Sequence, residues 1–276
     1  MNYVMGFEVL SLFLYVYTLD SIHVLFVGAM CATGSLNANP IGWYVLYDKI
    51  LVFYLSATWI AVNYLDNKAE NYPLVRFKYK FLLITAPLIF LDGYLLIKYF
   101  AGLKPDIITS CCGSLFSDES KKVAGSLAGL PIRPTMYVFY SSAFILLILS
   151  VLSVKVKSSL IKYLTGVVSV LFFVISIASV ISFISIYYYA IPTHHCPFDI
   201  IQGNYNYVGY PIFIALFGGT LLPMACGTGE VFKGIPSLTQ AVESVQRTWY
   251  WTAVVLILVF VGCASWPVLF SSFTPF

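Results

Sequence analysis

The chain has 276 residues, of which 60% are hydrophobic and only 10% charged, whereas soluble domains carry about a quarter charged residues. That composition excludes an ordinary water-soluble domain, and the net charge of +3 is too small to mark a nucleic-acid binder. The nucleotide-binding pattern G-x-x-x-x-G-K-S/T and the H-E-x-x-H of membrane metalloproteases are both absent from the sequence, which disfavours ATPase and metalloprotease readings.

Apolar runs of about twenty residues recur along the chain. They predict an all-α, polytopic membrane helix bundle with spans at about 4–30, 43–64, 80–101, 135–154, 160–190, 207–226 and 249–269. Each run satisfies its own backbone in the bilayer only as a helix. The first run is too long for a signal-peptide core, lacks a basic flank and carries Glu8 and Asp20, so it is read as a retained span. Pro87 and Pro223 read as kinks or ends of the third and sixth spans. The run 160–190 exceeds one hydrocarbon thickness and is expected to tilt or project. A single transmembrane domain over 1–276 is expected, with loops 31–42, 102–134 and 191–206 on one side. A short interfacial helix is expected just before the seventh span.

Lysine and arginine placement orients the bundle. Lys68, Arg76, Lys78, Lys80, Lys155, Lys157, Lys162, Lys233 and Arg247 fall on one side, against Lys104, Lys121, Lys122 and Arg133 on the other. Nine against four places the N-terminus in the cytoplasm and the C-terminus outside, in a bacterial-type inner membrane.

That topology gathers four of the six cysteines on the outer, oxidising side: Cys31, Cys111, Cys112 and Cys196. Disulfides persist in such a compartment. Adjacent Cα atoms lie about 3.8 Å apart, less than the roughly 4.4–6.8 Å of an ordinary disulfide. Cys111 and Cys112 would therefore pair separately with Cys31 and Cys196, in either of two connectivities, and staple the outer loops. Two working roles compete with the staple. One is thiol exchange with a soluble partner, aided by His195 beside Cys196. The other is a soft-metal site drawn from Met30, Cys31, Cys111, Cys112, His194, His195 and Cys196, whose donors suit Cu(I).

The first three spans also carry ionisable residues, which are costly at membrane depth. Asp20 and His23 share a face of the first, Asp48 and Lys49 lie in the second, and Asp92 lies near the middle of the third. They predict a polar seam that either fixes helix packing through buried ion pairs or carries protons or metal toward the outer rim. A non-covalent haem between His23 and His194 or His195, and a quinone against the tyrosine-rich stretch 203–211, are lesser expectations.

The leading functional expectation is thiol-redox or copper handling at the extracytoplasmic face, in exchange with a periplasmic thiol-redox or metal-carrier protein. The alternative is a non-catalytic membrane anchor of a respiratory electron-transfer complex, with structural disulfides.

Overall fold

The computed structural model describes residues 1–104, 108–109, 127 and 129–274. The protein is all-α, and seven of its helical stretches are long and apolar enough to cross a membrane: Asn2–Leu25, Gly42–Asp66, Val75–Ala101, Ile132–Lys155, Ser159–Tyr189, Gly209–Glu230 and Thr239–Phe270. All seven expected spans are present. Among the described residues the α-helices are α1 (Asn2–Ile22), α2 (Ala32–Asn37), α3 (Gly42–Asp66), α4 (Val75–Ala101), α5 (Ile132–Lys155), α6 (Ser159–Ser179), α7 (Ser185–Tyr189), α8 (Gly209–Glu230) and α9 (Thr239–Phe270). The chain divides into two compact units, one of Met1–Thr109 with Ala225–Thr248, the other of Ser110–Met224 with Trp249–Phe276.

In the first unit α1 packs on α3, and α3 on α4. The buried stripe of α1 is Met5, Glu8, Leu12, Tyr15 and Leu19, with Ser11 beside it. Steps of three and four residues keep this stripe on one face of a helix. Helix α4 buries only Thr85, Asp92 and Tyr99, one residue every two turns, and its other faces are left for lipid. Pro87 is accommodated inside α4.

The expected first span stops short of residue 30. A 3₁₀ turn over His23–Leu25 ends it. Gly28 then takes φ +85°, a conformation open to glycine and strained for other residues. A Cβ at Gly28 would come within 2.5 Å of the Thr109 carbonyl oxygen, because the Thr109 N–H donates to Val27 O at 2.9 Å there. The polar linker after Cys31 contains the short helix α2. It is tied down by Tyr99 Oη donating to Ser35 O at 2.7 Å, Ser35 Oγ donating to Leu19 O at 2.7 Å and Asn39 Nδ2 donating to Tyr99 O at 3.2 Å.

At the far end of α3, the Asp66 carboxylate accepts the Leu74 N–H at 2.7 Å and pairs with Lys78 at 2.6 Å. The polar residues between α3 and α4 are thus folded back onto the helix ends. In the 225–248 part of the unit, Gln246 Nε2 donates to Cys226 O and to Glu230 Oε2, each at 2.9 Å. Lys233 lies 3.0 Å from Glu243 and 3.6 Å from Glu230.

The second unit is built on a ring cluster. Phe139 of α5 sits 6.1 Å from Phe172, 5.6 Å from Phe183 and 5.7 Å from Phe260, centroid to centroid. Helix α6 turns a row of small residues inward, Thr165, Gly166, Ser169, Ser176 and Ser179. Small residues let helices approach closely where lipid supplies no hydrophobic drive to pack them. One such contact is Ser153 to Thr165, hydroxyl to hydroxyl at 2.8 Å. Within the long 160–190 run, Val180–Ile184 form a π-helical turn between α6 and α7. The helix expected to lead into the seventh span forms the start of it, since α9 begins at Thr239. No glycine or proline stands between Thr239 and Trp249 to break it.

Candidate functional site

In the second unit, α7 ends where Ala190 takes φ +54°. The chain then runs without regular structure to a 3₁₀ turn at Asp199–Ile201. Pro192 and Pro197 remove two backbone donors and keep the segment out of a helix. Cys196 and Asp199, three residues apart at the head of this turn, end up on one side of it.

Their side chains meet. The Cys196 thiol donates to Asp199 Oδ1 at 3.4 Å, and the Phe198 N–H donates to Cys196 Sγ at 3.4 Å. His194 Nε2 donates to Asp199 Oδ2 at 2.5 Å. Both oxygens of one carboxylate are therefore engaged by the two neighbours most able to bind a metal. Sγ of Cys196 and a carboxylate oxygen of Asp199 are close enough to share one ion. Cys196 is fully buried, and Asp199 is 7% exposed.

His195 is held by a different partner. Its Nδ1 lies 2.9 Å from the carbonyl oxygen of Ile181. A carbonyl only accepts, so Nδ1 carries the proton and Nε2 keeps the lone pair of the neutral ring. Ile181 belongs to the π-helical turn, and such turns loosen the regular ladder of backbone bonds.

Tyr189 fastens the segment from α7. Its hydroxyl donates to Cys196 O at 2.5 Å and accepts the Ile200 N–H at 3.1 Å. Its ring stands edge-on to His194 at 4.5 Å and to Tyr205 at 4.8 Å. Burial first, then the charges of Asp199 and Cys196, push the Tyr205 phenol above its usual value of 10.0. It stays a neutral hydrogen-bonding group at ordinary pH.

The structure thus brings together His194 and Cys196 from the predicted metal donors. It adds Asp199 and Tyr189, which the sequence reading left out. Met30 is 68% exposed, and Cys31 is fully buried in the first unit. Cys111 and Cys112 lie outside the described residues, and so do the disulfides expected of them. Among the described residues no two cysteines are joined.

The predicted polar seam is a second site, inside the first unit. Lys49 Nζ lies 2.9 Å from Asp92 Oδ2 and donates to Ser11 Oγ at 3.3 Å. Ser11 in turn donates to Glu8, at 2.8 Å to its carbonyl and 3.3 Å to Oε2. Tyr15 places its ring 5.7 Å from the Lys49 ammonium. The Asp20 and His23 pair is local: Asp20 Oδ1 and His23 Nδ1 are 4.0 Å apart, and Nδ1 hydrogen-bonds the Asp20 carbonyl. Asp20 lies nine residues beyond Ser11, about 14 Å along the helix axis. Glu8, outside the expected seam, belongs to this site, and its place on the same helical stripe as Tyr15 is the sequence signal for it.

Fold and sites define a multi-pass helical membrane protein with a buried Cys–His–Asp turn in one unit and a buried charge cluster in the other. Compared with known protein families, curated proteins and solved structures, the chain matches none.

Proposed function

We propose that this chain binds a soft metal ion, copper preferred, at the extracytoplasmic face of a bacterial-type inner membrane, through the turn that holds His194, His195 and Cys196. The observation that carries the reading is the convergence of Cys196 and His194 on the single carboxylate of Asp199 in a buried turn. Cys196 ligates as the thiolate, so binding releases its proton. Asp199 holds His194 through Nε2 and leaves Nδ1 for the ion. The backbone holds His195 through Nδ1 and leaves Nε2. An orienting acceptor on the second ring nitrogen is the usual support of a ligating histidine. Thiolate and imidazole are donors that suit Cu(I). Met30, Cys31, Cys111 and Cys112 remain in the reading as further soft donors on the strength of the sequence. The same orientation makes a periplasmic metal carrier the exchange partner.

Metal binding is preferred over thiol exchange for a physical reason. Exchange needs an accessible thiolate to attack a partner disulfide, and Cys196 is fully buried. The membrane-anchor reading leaves the turn a packing role and predicts no metal.

The test is anaerobic Cu(I) titration of the full chain in detergent against a chromophoric Cu(I) chelator. The expected result is one Cu(I) per chain, held about 10–100-fold more weakly by Asp199→Asn and not held by Cys196→Ser. A chain that fails to compete with the chelator, or binds as Cys196→Ser does, overturns the metal reading.

A further inference from the structure

We propose that Glu8, Asp48 and Asp92 form, around Lys49, a proton-binding site inside the membrane. The inference is independent of the metal reading and rests on different residues in the other unit.

Three carboxylates and one ammonium share the place where α1, α3 and α4 meet. Glu8 and Asp48 are each 9% exposed, Asp92 4% and Lys49 3%. Asp48 lies within electrostatic reach of Glu8, Lys49 and Asp92, and Glu8 within reach of Lys49 and Asp92. Among the described residues, Tyr15 of α1 and Tyr99 of α4 are the other titratable groups beside the cluster. Neither supplies a positive charge. Fully ionised, the cluster would hold a net charge of about −2, and isolated buried charge is among the costliest things a protein can carry.

The hydrogen bonds show where protons are wanted. Lys49 satisfies Asp92 Oδ2 and Ser11 Oγ. Asp92 Oδ1 and Asp48 Oδ2 are buried and have no donor. An ionised carboxylate only accepts, whereas a protonated one gains a donor and loses its charge. The ligand that meets both needs is the hydrogen ion. Ser11 accepts from Lys49 and donates to Glu8, so it links the Glu8 carboxyl to the Lys49–Asp92 pair and lets a proton change places among them. In the relay Ser11 passes its O–H proton to Glu8 while taking one from the Lys49 ammonium, and Lys49 recovers its N–H from the protonated Asp92 carboxyl. Each O–H or N–H bond broken is matched by one formed, the total charge is conserved, and no other reactant is needed.

The experiment is infrared spectroscopy of the full chain in lipid nanodiscs, titrated between about pH 5 and pH 8, above the range in which ordinary carboxyls lose their protons. The wild-type chain alone is decisive, whatever the fate of any variant. A protonated-carboxyl C=O absorption is expected to persist at pH 7, to shift in D2O, and to lose intensity in Glu8→Gln, Asp48→Asn and Asp92→Asn separately. Absence of the absorption at pH 7 overturns the proposal. So does its disappearance on adding sodium chloride at constant pH, which would make the occupant a sodium ion. An absorption that persists unchanged in all three variants also overturns it, because the protons would then lie elsewhere.

Discussion

Lys49 of α3 and Asp92 of α4 are joined at 2.9 Å with both side chains almost fully withdrawn from solvent. The pair links two helices through groups that neither lipid nor a hydrocarbon core would accept singly. Buried pairs of this kind cost heavily to break, since removing one partner strands the other's charge.

Lys49→Met is therefore expected to lower stability by about 3–5 kcal/mol, read as a fall in the thermal unfolding midpoint in a fixed detergent. Lys49→Met with Asp92→Asn should recover a good part of that loss. A double variant no more stable than the single one would show that the pair is not the source of the cost.

Tyr189 bridges two backbone groups, the Cys196 carbonyl and the Ile200 N–H. Tyr189→Phe keeps the ring against His194 but leaves both groups without that partner. A loss of about 1–3 kcal/mol is expected, with faster hydrogen exchange at the Ile200 amide. Unchanged exchange there would mean that the hydroxyl does not hold the turn.

The Lys233 ammonium is held above its usual value of 10.5, first by its hydrogen bond to Glu243 and further by the charge of Glu230, against partial burial. A raised value in the folded state means that the pair stabilises fully below the unfolded value. That contribution is lost as pH rises through the folded value. The stability difference between the parent chain and Lys233→Met is expected to be about 0.5–1 kcal/mol, flat from pH 7 to about pH 9 and shrinking above about pH 10.5. Melting both proteins across that range reads it directly.

The orientation inferred from lysine and arginine placement has its own test. Thr274 and Lys68 are both exposed. In intact cells, a membrane-impermeant maleimide should label Thr274→Cys above the parent background and spare Lys68→Cys. The reverse pattern would invert the topology and place the His194–Cys196 turn in the cytoplasm.

Some of this architecture was legible before any coordinate. The seven apolar runs follow from composition and length because the bilayer leaves the backbone no partner but itself. The Lys49–Asp92 pair was among the pairings open to the sequence, since few other ionisable residues lie at that depth. The ends of the helices were less legible. Residues 26–30 are apolar enough to continue α1, yet the backbone bond between Val27 and Thr109 and the left-handed Gly28 divert them. The competing partner, Thr109, lies 82 residues from Val27 in the chain.

The site shows the same division. Sequence alone determined that a histidine-rich, proline-flanked turn with a cysteine interrupts two membrane spans, and that charges collect in the first three. Which groups meet was decided by tertiary structure. Asp199 reaches both His194 and Cys196 only because the segment closes into a 3₁₀ turn, and His195 is fixed by a carbonyl of a π-helical turn. Glu8 joins Lys49 only because the rotation of α1 brings its stripe against α3. Helical spacing says which residues share a face, but the partner that face finds is set by packing, where a buried charge must be matched by groups distant in the chain.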